Sequence, residues 1–276
     1  MKSSPAGNER PFHAFERRGW QRVVSVYDKS FAALTSDAAG PLLDATRVRF
    51  GTRVLDIATG PGYIAGEAAK RGARVVGLDF SDTMLAEARR RYPAVEFREG
   101  DAHALPFAEA IFDAAVMNFG VPHLEDPEKA MREAFRVLQP GGRFAFTVWD
   151  DPSVAIGFKI VLDAIAAWGQ TDVLLPPGPP FFKYCDPEVS RDALLGAGFE
   201  NPERVVLPLV WRIPSVEALL DAMESGTVRT GGLLRAQTPE SLEAIRTAVR
   251  LEAGKHDQGG TLVLPMPAVL LSGTKP

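Results

Sequence analysis

This 276-residue chain carries a single cysteine, Cys185, so no disulfide can close within it and a cysteine-rich zinc site is excluded. One thiol suits a reducing cytoplasm, the expected location. Histidine is scarce as well, with four in all and no pair at metal-ligand spacing, so no metal is expected. Long apolar runs are missing. None approaches the ~18 residues of a membrane helix, so no membrane span is expected. The longest apolar tract, TLVLPMPAVLLSG, is broken by Pro265 and Pro267 and reads as an edge or bulged strand. The opening MKSSPAGNER lacks the apolar centre of a secretory signal. Charge of one sign is missing too. Lys and Arg number 31 against 35 Asp and Glu, a net charge of −4 with no basic stripe, which argues against a nucleic-acid partner. The local run ARRRY, Ala88 to Tyr92, reads as a solvated helix end. No internal repeat or long low-complexity segment occurs.

What is present is ordinary globular composition, 46% apolar and 24% charged, enough for one large α/β domain with embedded additions. From about residue 52, short apolar strands alternate with helices. Strands are expected at Arg53–Ala58, Arg74–Asp79, within AVEFREGD, at Phe112–Phe119 and at Arg143–Trp149. Helices are expected at Tyr63–Arg71, from a Ser81 cap to about Tyr92, and at Pro127–Leu138, where QPGG stops the helix. That order implies a Rossmann-like, doubly wound, mostly parallel sheet of seven strands with helical insertions forming a lid. Ligands of such sheets lie beyond the carboxyl ends of the strands. The informative positions are therefore Asp56 to Gly62, Asp79–Phe80, Asp101–Ala102 and Asn118–Phe119.

After Trp149 the rhythm loosens. A helix is expected around Phe158–Trp168, then a proline-rich loop, a helix at Pro187–Ala197 and a strand near Arg204–Trp211. Two or three helices over 214–253 and a final strand from about Thr261 complete the chain. The organisation read from this is an N-terminal helical lid over 1–48 and a nucleotide-binding domain over 49–276, with insertions at about 153–185 and 212–258.

The stretch VLDIATGPG is the first strand breaking into a glycine turn, and Gly60, Gly62 and Ala65 fit G-x-G-x-x-G/A with Asp79 about 20 residues on. Taken alone, this satisfies the dinucleotide fingerprint too. Three features favour another ligand, S-adenosylmethionine. Asp56 at the strand end would repel a pyrophosphate but suits an ammonium and a sulfonium. Pro61 removes an N–H that phosphates would use. Asp79 and Asp101 close the next two strands, so three carboxylates face a ligand with a cationic head, ribose hydroxyls and an adenine amino group.

With VVGLDFSDTMLAEAR and FREGDAHALPFAEAIFDAAVMNFGVPHLEDPEKAMREAFRVLQPGGRFAFTVW added, the chain resembles class I S-adenosylmethionine-dependent methyltransferases of the broad group that includes the ubiquinone and menaquinone biosynthesis enzymes. The likeness is close over residues 50–150 and general elsewhere. It implies that Asp56 faces the methionine ammonium, that Ala58, Gly60 and Gly62 let the backbone approach the cofactor, and that Asp79 takes both ribose hydroxyls. It implies that Phe80 and Met84 flank adenine or ribose, that Asp101 and the Ala102 N–H meet the adenine edge, and that the Asn118 carbonyl meets the ammonium. Tyr27, on an amphipathic N-terminal helix with Trp20, Val24 and Phe31, would close over the methionine end. The turn reads ATGPG where many relatives carry GCGTG or GTGDG, which weakens any side-chain hydrogen bond from position 61.

The acceptor is less legible. Methyl transfer is an in-line displacement whose demands are alignment and exclusion of water, so it leaves no universal signature. His123 is the one histidine near a strand end and is the candidate base for an O or N acceptor, the accepting atom (O, N or C) being undetermined; His103 reads as a solvated loop residue. Trp149, Phe158, Trp168, Phe181, Phe182, Tyr184 and Trp211 offer an aromatic wall for a planar or apolar small molecule. Nothing in the sequence speaks to an oligomeric state. The alternatives are an NAD-dependent oxidoreductase and a non-catalytic cofactor-binding protein.

Overall fold

The computed structural model describes residues 10–276; the signal-peptide reading falls almost wholly on residues 1–9, outside the described residues. The chain opens with helix α1 (Pro11–Ser36), proline taking a first-turn position whose N–H has no partner in any helix, and α2 (Ala39–Ala45) follows. The alternating region gives β1 (Arg53–Ile57), α3 (Tyr63–Lys70), β2 (Arg74–Asp79), α4 (Asp82–Arg91), β3 (Glu96–Glu99), β4 (Phe112–Asn118), α5 (Pro127–Val137) and β5 (Leu138–Trp149). The Ser81 hydroxyl accepts from the Met84 N–H, and Asp126 caps α5 by accepting from Lys129.

Alternation explains the strands. Val54 of β1 points into one apolar cluster while Leu55 and Ile57 point into the other; Ala114 and Val116 of β4 oppose Ala115 and Met117 in the same way. Both faces are covered, so the strands read as near-continuous apolar runs. QPGG does not form a turn after the helix. The first residue of β5, Leu138, already pairs with Phe112, and residues 139–142 bulge out before pairing resumes at Arg143.

The second half contains α6 (Ile156–Trp168), α7 (Pro187–Gly196), β6 (Glu200–Leu207), β7 (Val210–Ile213), α8 (Val216–Ser225), α9 (Arg229–Arg235), α10 (Pro239–Ala253), β8 (Leu262–Pro265) and β9 (Ala268–Thr274). Two expectations are corrected here. The strand near Arg204–Trp211 is two strands parted at Pro208, and the final strand is two parted at Met266 and Pro267. Each proline removes a ladder donor where the chain passes from one sheet to another. Nor is β9 an edge: it runs antiparallel between β5 and β6.

The main sheet has the order β3-β2-β1-β4-β5-β9-β6, parallel from β3 to β5, while β7 and β8 form a separate antiparallel ribbon. The strand order reverses between β1 and β4, which is where a ligand crevice opens in such sheets. Helix α1 packs on α8, α4 and β7, and α10 packs on α6 and α8, so these helices and the ribbon cover that end. No described helix is long and apolar enough to cross a membrane.

Candidate active site

One cleft gathers the strand ends. Asp56, Ala58, Gly60, Asp79, Phe80, Met84, Asp101, Ala102, Asn118, His123 and Tyr27 all line it. Gly62 does not. It sits at φ +82° as the N-cap of α3, and a Cβ there would lie 2.9 Å from the Phe97 ring, so glycine answers to backbone and packing at that position. Gly60, at φ +53°, has open space where its Cβ would be, and its N–H donates to Asp79 Oδ2 at 2.8 Å.

The three carboxylates differ. Asp79 is buried at the end of β2; its Oδ2 accepts from Gly60 and its Oδ1 from the Ser81 N–H at 2.9 Å. Each oxygen keeps a lone pair for another donor. Burial pushes its pKa up to about 6, against the opposing backbone hydrogen bonds. Asp56 is buried more deeply. Its Oδ2 accepts from Thr59 Oγ1 at 2.5 Å and the Ala65 N–H at 3.0 Å, while Oδ1 is buried with no partner. Burial raises this carboxyl to about 7 despite those two bonds, and the neighbouring charge of Asp79 adds to the rise. A buried, unpartnered carboxylate oxygen lining a cleft fits a ligand that brings a cationic donor.

Asp101 goes the other way. Burial works to raise it, but the His103 Nδ1–H at 2.6 Å and backbone N–H at 2.9 Å outweigh burial and hold it well below the usual carboxylate range. His103 is therefore no solvated loop residue. It is 3% exposed, and its Nε2 accepts from the Asp126 N–H at 3.2 Å, which fixes the Nδ1–H tautomer. A loop read from sequence gives no hint of this, because Asp126 lies beyond the next strand. Asn118 is tied by its amide to the Thr35 carbonyl at 3.0 Å and accepts from Thr147 Oγ1 at 2.6 Å, anchoring the end of α1 to the sheet.

The other half of the cleft is aromatic. Phe119 stacks on Trp149 with centroids 4.2 Å apart, and Phe31, Phe158, Phe181 and Trp20 join the lining. Of the aromatic wall read from sequence, Trp149, Phe158 and Phe181 reach the cleft. Trp168 is 59% exposed, Trp211 and Tyr184 are core, and Phe182 packs against the core edge. On α1 the buried position is Val23 rather than Val24. Tyr27 lies edge-on to Trp20 at 5.5 Å and its hydroxyl pairs with Thr35 Oγ1 at 3.0 Å.

His123 ends a short 3-10 turn, Val121–His123, beyond β4. Its ring is edge-on to Trp20 at 4.8 Å, and its Nδ1 is 2.9 Å from Oε2 of Glu16, which is wholly buried. Glu16 and Arg229, which also lines the cleft, are functional candidates that sequence reading missed. Glu16 had a signal, standing one helical turn before Trp20 in the apolar stripe of α1. Arg229, in GTVRTGG, had none.

Residues 55–146 match a family described as "Methyltransferase domain". The chain is 41% identical over 141 residues to a demethylmenaquinone methyltransferase of Paenarthrobacter aurescens, covering 51% of this chain and 49% of that one. It is 37% identical over 228 residues to an uncharacterized 37.1 kDa protein in a transposon of Streptomyces fradiae, covering 76% of this chain and 64% of that one. It thus spans about half the length of the named enzyme it matches. A solved S-adenosylmethionine-dependent methyltransferase from Thermotoga maritima shares the fold, with TM-score 0.56 at 20% identity over 95% of this chain and all of that one. The Rossmann-like fold read from the sequence is borne out, and so is the resemblance read over about residues 50–150, of which 55–146 match that family.

Proposed function

We propose, from the methyltransferase domain that residues 55–146 carry, that this chain transfers the methyl group of S-adenosylmethionine to a small acceptor with a planar, quinone-like ring, and that it works in the cytoplasm. The carrying observation is the unpartnered, buried Oδ1 of Asp56 beside the doubly held carboxylate of Asp79. The cofactor ammonium, directly or through water, answers the first. The ribose hydroxyls answer the second, each meeting a carboxylate oxygen already oriented by a backbone N–H. Asp101, kept ionised by His103, accepts from the adenine amino group with the Ala102 N–H beside it. Phe80 and Met84 flank the nucleoside, the Asn118 carbonyl meets the ammonium, and Gly60 lets the backbone come close. S-adenosylmethionine supplies a methyl carbon already activated by its sulfonium.

The protein's own part is alignment and dryness. Helix α1 acts as the lid, with Tyr27 and Trp20 over the methionine end, and the aromatic half of the cleft stacks the acceptor ring in line with the methyl group. His123 serves as base when the acceptor must lose a proton; its Nδ1 is taken by Glu16, so Nε2 is the nitrogen left for the acceptor. A pyrophosphate fits poorly beside Asp56 and Pro61, which disfavours NAD. Calorimetric titration with S-adenosylmethionine, S-adenosylhomocysteine and NAD tests the reading. Micromolar binding of the first two without NAD is expected; binding of NAD alone would overturn it.

A further inference from the structure

Glu16, His123 and Arg229 form a charge arrangement at the aromatic end of the cleft. Glu16 is wholly buried, and its one hydrogen bond runs to His123 Nδ1 while Oε1 has none. A carboxylate so placed needs a positive partner nearby. Arg229 is the cation whose environment includes the charge of Glu16, yet its hydrogen bond goes to a neutral group, the Pro179 carbonyl at 2.7 Å. Its guanidinium otherwise lies over apolar rings, 5.4 Å from the Phe12 centroid and 5.7 Å from that of Phe181. No described carboxylate forms an ion pair with it. His123 stands on the same Phe181 ring, centroids 5.6 Å apart.

We propose that this end of the cleft takes an acidic hydroxyl on a planar ring, a phenol or enol, and holds it as the oxyanion between His123 and Arg229. The inference rests on the methyl-transfer reading of the same cleft. Before the acceptor binds, Glu16 and Arg229 are opposite charges that make no direct ion pair, and Glu16 meets His123 Nδ1 instead. When the acceptor enters, its O–H bond breaks and the proton passes to His123 Nε2. The imidazolium then pairs with Glu16, and Arg229 faces the new oxyanion, so two adjacent pairs form. The oxyanion, through oxygen or its conjugated carbon, attacks the methyl carbon. The C–S bond breaks, and its electron pair leaves the sulfonium as a neutral thioether. Neutral apolar rings and amines without an acidic hydroxyl gain nothing from this arrangement.

The probe is 4-nitrophenol, titrated into the full chain saturated with S-adenosylhomocysteine, at a pH where free 4-nitrophenol is mostly neutral. Its phenolate absorbs separately from the phenol, so the spectrum reports the bound form directly. Wild-type protein is expected to bind it as phenolate. Arg229→Met should weaken binding by at least about tenfold and leave the bound probe neutral, with Arg229→Lys between the two. His123→Gln should also lose the phenolate band. 4-Nitroanisole, which has no proton to give, should bind wild type and Arg229→Met alike. Binding of the neutral phenol, no binding, or equal phenolate binding by Arg229→Met would overturn the inference. A purely structural Arg229 would alter stability without changing the probe's spectrum. If S-adenosylhomocysteine binds but the phenolate does not form, only this inference falls; if S-adenosylhomocysteine fails to bind wild type, the methyl-transfer reading falls with it.

Discussion

Replacing Asp56 by Asn should make the cofactor-free protein more stable at neutral pH and a poorer binder. Asp56 is fully buried and raised from 3.8 to about 7 in the fold. A carboxyl whose folded pKa lies above its unfolded one binds more protons when folded, so its stabilisation is complete below about pH 4 and is lost as pH rises through about 7. Across that window of about three pH units the loss is about 4 kcal/mol, at ~1.36 kcal/mol per unit. Asn keeps the acceptor for Thr59 and Ala65 and places an NH2 where Oδ1 was unpartnered. Burying that amide costs ~1–3 kcal/mol, so the net gain at pH 8 is ~1–3 kcal/mol, or a melting temperature higher by ~2–10 °C. At pH 5, where Asp56 is already protonated, the gain should vanish. S-adenosylmethionine affinity should fall ~10–150-fold as a charged hydrogen bond is lost. Melting curves of both proteins from pH 5 to 8, with calorimetric titration, read this out. If the variant melts lower than wild type at pH 8, or the gap between them is independent of pH, the reasoning about Asp56 is wrong.

Asp79→Ala removes both carboxylate oxygens oriented by backbone N–H groups and should weaken S-adenosylmethionine binding at least about tenfold by the same titration. His103→Ala deprives Asp101 of its side-chain hydrogen bond, so the acid limb of cofactor affinity against pH should move upward toward the ordinary carboxylate range, a shift absent from a control at His256, which does not line the cleft. Asp28→Ala breaks the contacts of Asp28 with Tyr63 and Arg91, which join α1 to α3 and α4, and should speed S-adenosylhomocysteine release a few-fold in stopped flow, as a partly exposed pair worth ~1 kcal/mol predicts. Gly62→Ala should destabilise the fold by ~1–3 kcal/mol in urea titration while leaving cofactor affinity nearly unchanged, since the strain lies against Phe97 and not in the cleft.

The sheet was legible because its signals are local. Strands covered on both faces read as apolar runs, Ser81 and the glycine turn mark junctions, and the carboxylates stand where strands end. What escaped is tertiary. Pro208 and Pro267 disrupt pairing, but sequence does not say that the chain changes sheets there. The ARRRY run reads as a solvated helix end, and it does close α4, yet Arg91 is bound to Asp28 and Glu87 and lies 4.6 Å from the Tyr63 ring centroid. Glu16 and His123 are 107 residues apart in the chain and 2.9 Å apart in space. No spacing rule spans that distance. Arg229 acquires meaning only once the cap has brought α9 beside α1.

Helix α1 touches both halves of the cleft, and its attachments differ in kind. Toward the cofactor loops it is held by partly exposed polar links: Arg17 to Glu99 at 3.4 Å, Gln21 to Asp82 at 3.1 Å and Asp28 to Arg91 at 2.9 Å. Such links contribute little each, so lifting this flank to admit a nucleoside-sized ligand is cheap. Toward the acceptor it carries Glu16 and Trp20 against His123, where the contacts are buried and Glu16 loses its hydrogen-bond partner if the helix moves away. The same displacement that opens the cofactor side therefore withdraws the carboxylate that orients the imidazole. On the methyl-transfer reading, cofactor loading and the alignment of His123 would be coupled through this one helix, with Glu16 holding the imidazole while α1 lies over the cleft.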